Sequence, residues 1–160
     1  MMRFQSAMLV VEDVARSRRF YTGLLGCKVT LDFGANVTLD DRFAIQDRQW
    51  WENSIHKTRE DIRYGGNDVE LYFEESDFDA FLQKLEAWGE LQYLLPPHEM
   101  PWGQRSVQFY DPDGHIVEVG EHMGAVVRRF RAAGLTIPEI AKRMDIPEPY
   151  AAHLEHEYFT

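Results

Sequence analysis

Two acids stand inside strand-like sequence, and they are the first residues here with chemistry to offer. Glu118 sits among Ile116, Val117 and Val119, and Glu70 alternates with Val69 and Leu71 in the stretch Val69–Phe73. Two carboxylates inside one cleft would raise each other's pKa and supply a metal clamp or a general base; as polar strand positions facing water they would do neither. Trp102, Gln104 and Arg105 offer an indole for stacking, with an amide and a guanidinium to anchor an anionic or oxygen-rich ligand. The alternative is a structural loop that tucks Trp102 into the core. Trp50 and Trp51 stand in a twenty-residue connector, Asp47–Gly66, and read either as an aromatic wall over a cleft or as part of a short helix capping a sheet.

Other constellations fall away. His98-Glu99 has Trp102 where a zinc-protease helix needs its second histidine, and Pro96-Pro97 and Pro101 exclude that helix. His115 has the opposite strand parity to Glu118 and reads as a turn or outer-face residue, His122 lies beyond the last strand, and His56 is the one histidine with the reach to swing over a cleft. Cys27 opens a strand and reads as core rather than nucleophile. As the single cysteine, it allows no intramolecular disulfide and points to a reducing cytoplasm.

The elements that must position these residues repeat. A strand over Phe4–Val11, a helix opened by Asp13 and closed by Gly26, and strands over Cys27–Phe33, Asn36–Leu39 and Phe43–Gln46 form one unit. The order returns as a strand over Val69–Phe73, a helix capped by Ser76 or Asp77 and ended by Gly89, and strands over Leu91–Leu95, Arg105–Tyr110 and His115–Gly120. The expected fold is α+β: two tandem βαβββ modules (4–47 and 67–122, joined by the connector 47–66) in a domain 1–123, with a helical C-terminal extension 124–160. Each curled sheet has a face needing cover, so the two modules are expected to pair around a cleft.

Composition narrows the function. The 160 residues carry 17 Lys and Arg against 27 Asp and Glu, a net charge of −10, which disfavours a nucleic-acid or anionic-membrane surface over the body of the protein. The apolar stretch Ala7–Val11 runs straight into Glu12-Asp13, so no signal peptide is expected, and no apolar run approaches the ~20 residues of a membrane span.

The opening Val11, Asp13, Ser17, Phe20-Tyr21, Leu24-Leu25 and Gly26, with the ending Pro101–Arg105, Phe109–His115 and Glu118, resembles the vicinal oxygen chelate superfamily of glyoxalase I, bleomycin resistance proteins and extradiol dioxygenases. The resemblance covers residues 4 to about 122. It implies a U-shaped mixed sheet around a small-molecule site, and a homodimer. In metal-dependent members it implies ligands at positions that here hold Ser6, Gln46, Asp68 or Glu70, and Glu118. None is histidine, so the set suits Mn²⁺, Mg²⁺ or Ni²⁺ rather than Zn²⁺, or no metal at all. Three functions stay open: metal-assisted lyase, isomerase or dioxygenase chemistry with Glu118 at its centre; metal-free small-molecule binding or sequestration; and, behind both, a ligand-responsive regulator that uses its tail on DNA.

The tail resembles a helix-turn-helix around Gly134-Leu135-Thr136, Glu139-Ile140-Ala141 and Ile146-Pro147. Residues 124–160 carry five Lys or Arg and five Asp or Glu, and Pro147–Glu157 has no Lys or Arg. A DNA reader needs cations near the phosphates, so the better account is a helical extension packing on the modules or on a dimer partner.

Overall fold

Alternation writes the first sheet. In the computed structural model, which describes residues 1–157, the strands β1 (Ala7–Val11), β2 (Val29–Asp32), β3 (Asn36–Leu39) and β4 (Phe43–Asp47) form a sheet in the order β1-β4-β3-β2. The β1–β4 pair is parallel, and β4–β3 and β3–β2 are antiparallel. Leu9, Val11, Val37, Leu39, Phe43 and Ile45 share one face by their two-residue period, and all are buried. Helix α1 (Val14–Arg19) and the π-helical turn Phe20–Leu24 that continues it supply Phe20, Tyr21 and Leu24 to this core, Tyr21 meeting Phe43 edge-on at 5.2 Å. The opposite face carries Met8, Ala44, Gln46, Asn36 and Thr38.

The connector is helical at its start. Asp47 caps α2 (Arg48–Ile55) by accepting the Trp50 N–H, His56 closes it in the left-handed conformation, and a 3-10 turn at Arg59–Asp61 follows. The short-helix reading of the connector therefore holds.

The second sheet has the order β5-β8-β7-β6, from β5 (Glu70–Glu75), β6 (Tyr93–Glu99), β7 (Arg105–Tyr110) and β8 (Ile116–Glu121). Helix α3 (Phe78–Trp88) is capped by Asp77 and buries Phe78, Phe81 and Leu85. Strand β1 begins three residues later than the sequence suggests, and Met1–Ser6 before it is exposed. Strand β6 runs on through Pro96-Pro97, which an edge strand tolerates because its outer N–H groups need no partner.

By internal contacts the chain forms two compact units: Met1–Glu70 with Tyr110–Ile116, and Leu71–Phe109 with the chain from Val117 onward. The tail is thus part of the second unit. Its helices α4 (Met123–Ala132), α5 (Ile137–Met144) and α6 (Glu148–Glu157) bury Val126, Val127, Phe130, Ile140, Ala141, Met144, Ala151 and Leu154 together. Its last three residues lie outside the described residues.

Candidate functional site

The motif residues carry structure before function. Ser17 Oγ donates to Asp113 at 3.0 Å, Arg16 pairs with the same carboxylate at 2.6 Å, and Tyr21 O–H donates to Asp111 at 2.7 Å. Asp111 also accepts the N–H groups of Asp113 and His115 and pairs with His115 Nδ1 at 2.9 Å. Burial alone would raise the Asp111 pKa, but the bonds from His115 and Tyr21 outweigh it and hold the carboxyl below its ordinary value. His115, read from the sequence as a turn or outer-face residue, is a turn residue that faces inward against this buried acid.

The open face of the first sheet gathers three of the sequence candidates. Gln46, Trp50 and Trp51 line one pocket of about 640 Å³, together with Met8, Phe33 and Asn36. Gln46 is buried and its amide is spoken for at both ends: Oε1 accepts from Asn36 Nδ2 at 2.9 Å, and Nε2 donates to Ala35 O at 2.9 Å. The two amides lie opposite each other in the β3–β4 register and form a polar floor. Trp50 remains 54% exposed and Phe33 72% exposed at the rim, an apolar surface that water solvates poorly. Asn36, Phe33 and Met8 were missed from the sequence. The period of β3, which sets Asn36 against the buried Val37, was the available signal for Asn36; nothing local marks Phe33.

Ser6 is exposed and precedes β1. Asp68 and Glu70 are exposed, Asp68 folding back so that a Cβ on Gly66 would meet its Oδ1 at 2.7 Å. In the second unit Glu118 is 8% exposed; its two oxygens accept from Ser106 Oγ and Gln108 Nε2, each at 2.7 Å. Gln104 is buried, accepts from Trp102 Nε1 at 3.1 Å, and donates to Tyr72 O–H and to Glu121 O, each at 2.9 Å. Arg105 is held by Glu121 at 3.0 Å and Asp79 at 2.7 Å. These last two side chains serve the loop and the sheet in the described conformation. Trp102 stays partly exposed rather than entering the core.

The ligand set implied by the resemblance does not fit a metal centre. It offers a hydroxyl, an amide oxygen already accepting from Asn36, and carboxylates without a histidine, and both Glu118 oxygens are engaged by neutral donors. Among the described residues no group of three or more His, Cys, Asp or Glu is arranged to hold a metal. Cys27 is buried, and burial, with Asp40 beside it, pushes its thiol up to about 12, so it is no nucleophile.

Comparison with known proteins shows the family and the fold. A family model described as a glyoxalase-like domain matches residues 4–124. The metallothiol transferase FosB of Shouchella clausii (strain KSM-K16) is 32% identical over 90 residues, which cover 54% of this chain and 58% of that protein. The chain thus spans little more than half the length of this relative. Among solved structures, a protein of unknown function from Agrobacterium tumefaciens str. C58 is 38% identical with a TM-score of 0.67, over 76% of this chain and 94% of that one. A member of the glyoxalase/bleomycin resistance protein/dioxygenase superfamily from Sphaerobacter thermophilus DSM 20745 is 26% identical with a TM-score of 0.56, over 76% and 98%.

Proposed function

The chain belongs to the glyoxalase-like domain family, and from that premise we propose that it binds a small, largely apolar molecule on the open face of its first sheet, without a metal. The observation that carries this reading is the convergence of Met8, Phe33, Trp50 and Trp51 around the Asn36–Gln46 amide floor in a pocket of about 640 Å³. That size suits a drug-sized ligand, and the composition is the usual one: apolar walls with a few fixed polar groups. Covering Trp50 and Phe33 removes apolar surface from water at roughly 25 cal/mol per Å², which supplies affinity, while the amide pair selects ligands with a matching donor or acceptor.

The FosB relative is named a metallothiol transferase, and transfer or lyase chemistry is the second reading. One observation favours it, the buried Glu118 carboxylate in the middle of β8. Self-association belongs to the proposal as well. The edge strand β6 leaves Tyr93, Leu94 and Leu95 exposed, a surface suited to a second copy of this chain.

Tryptophan fluorescence during titration with a panel of small aromatic and polycyclic molecules tests the binding reading. Trp50→Ala and Gln46→Leu are each expected to weaken the best ligand by about 1–2 kcal/mol, roughly tenfold in Kd, with chelators making no difference. Full affinity in both variants, or binding that chelation abolishes, overturns it.

A further inference from the structure

The polar floor of the amide pocket has a direction. The Ala35 carbonyl accepts the Asp47 N–H at 2.7 Å and Gln46 Nε2 at 2.9 Å. A backbone carbonyl can only accept, so it fixes which end of the Gln46 amide faces it. Gln46 Oε1 must then point across the strand pair, where it accepts from Asn36 Nδ2 at 2.9 Å. The same Asn36 nitrogen also reaches Met8 Sδ at 3.6 Å. Turning either amide over would set oxygen against oxygen, so the relay from Ala35 through Gln46 to Asn36 has one stable sense.

What the floor keeps for a ligand follows from that sense. Asn36 Oδ1 accepts from no group among the described residues, and the protein does not enclose it. Gln46 is only 2% exposed, so it orients Asn36 rather than meeting a ligand itself. Ser54, on the α2 side of the pocket, donates its hydroxyl hydrogen to Trp51 O at 2.9 Å and is left with lone pairs. The indole N–H groups of Trp50 and Trp51 are the competing donors. They stand on α2, none of whose residues is buried, and keep access to water when the pocket fills. Asn36, on the sheet, loses its water then and needs a donor in exchange. No ionisable side chain lines this pocket, so a charged ligand would lose hydration without meeting a counter-charge. The apolar wall of Trp50, Trp51 and Phe33 offers ring faces, which suit another flat ring.

We propose that the amide-floored pocket selects an uncharged, flat aromatic molecule carrying an N–H or O–H group, whose hydrogen Asn36 Oδ1 accepts. The inference rests on the binding reading above and adds the class of ligand to it. Asn36 makes the contact, and Gln46 is a positioning residue that keeps the acceptor turned outward.

Indole is the probe, and benzofuran is its control of like size without the donor. Indole-3-acetate and tryptamine are the anionic and cationic controls, and binding is followed by the backbone amide shifts of Asn36, Gln46 and Trp50 in the ¹⁵N-labelled protein. Indole is expected to bind in the millimolar range or tighter, about fivefold more tightly than benzofuran and more tightly than either charged control. Asn36→Ala is expected to bring indole down to the benzofuran value while benzofuran stays within about twofold, a split that general damage to the pocket would not give. Gln46→Leu is expected to erase the same preference, because Asn36 can then turn its amide. Equal affinity of the wild type for indole and benzofuran overturns the inference and leaves the proposed function standing, whether or not the variants fold. A preference for benzofuran overturns it by making the indole N–H groups the readers, and tighter binding of a charged control overturns it as well. Full preference for indole in Asn36→Ala removes the named acceptor and overturns it. No shift with indole at about 5 mM also overturns it, even where other apolar molecules bind the pocket.

Discussion

Glu121 shows how differently two acids of one strand can behave. Glu118 stands out in the sequence because its neighbours are apolar, yet its oxygens accept from the neutral Ser106 and Gln108. Glu121, three residues on and 2% exposed, takes the Arg105 guanidinium at 3.0 Å and that of Arg129 at 3.0 Å. Burial raises its pKa, but the bonds from Arg105 and Arg129 outweigh that and leave it below the ordinary 4.5. A carboxyl depressed in the folded state stabilises above its unfolded pKa, and that contribution is lost as pH falls through 4.5 towards the folded value. Glu121→Gln is therefore expected to lower stability at pH 7 by about 2 kcal/mol, the modest figure reflecting the partial exposure of both arginines. Its urea-unfolding midpoint should also fall less steeply than wild type below pH 4.5. An unchanged acid limb would remove Glu121 from the account.

Elements here owe their positions to a few close approaches. The turn between β6 and β7 places Gly103 at φ 90°, with a hypothetical Cβ only 2.3 Å from Phe130 Cζ of α4. Arg129 adds a hydrogen bond to Gly103 O, and Arg143 of α5 reaches Glu99 of β6 at 2.8 Å. Helix and turn are thus locked by both sterics and charge. Gly103→Ala must bear a left-handed backbone and a collision with an aromatic ring, and it is expected to cost about 2–4 kcal/mol. Pairing it with Phe130→Leu should recover part of the loss in chemical denaturation; no recovery would assign the whole effect to the backbone. In the connector, the helix reading is the one the structure bears on. Helix α2 forms because Asp47 caps it, and Trp50 and Trp51 on that helix line the pocket.

Across the whole molecule, charge decides against one partner. The tail joins the second unit through its own buried cluster, as three short helices. Asp145 closes α5 in the left-handed conformation before α6 begins. Helix α6 nevertheless has no Lys or Arg, and the chain carries a net charge of −10. Non-specific DNA affinity comes from phosphate neutralisation, so no mobility shift is expected with duplex DNA even at about 50 mM salt. A shift that weakened with added salt would contradict this. No helix among the described residues is long and apolar enough to cross a membrane.

The fold was written in local patterns. Two-residue alternation placed the strands, Asp13, Asp47 and Asp77 opened helices, and the repeated order of elements announced two modules. The family motifs were legible for the same reason, since Ser17, Tyr21, Asp111 and Asp113 must stand at fixed spacings to bond one another. Boundaries slipped where a local rule was weak, as at the prolines of β6. The candidate sites were only partly legible, because a pocket is made by residues distant in the chain. Register set Asn36 against Gln46, and the tertiary fold brought Phe33 and Met8 to the same pocket. Residue type and spacing determined which elements form. Only packing decided which polar side chains the protein itself would satisfy, as it does Gln104 and Arg105.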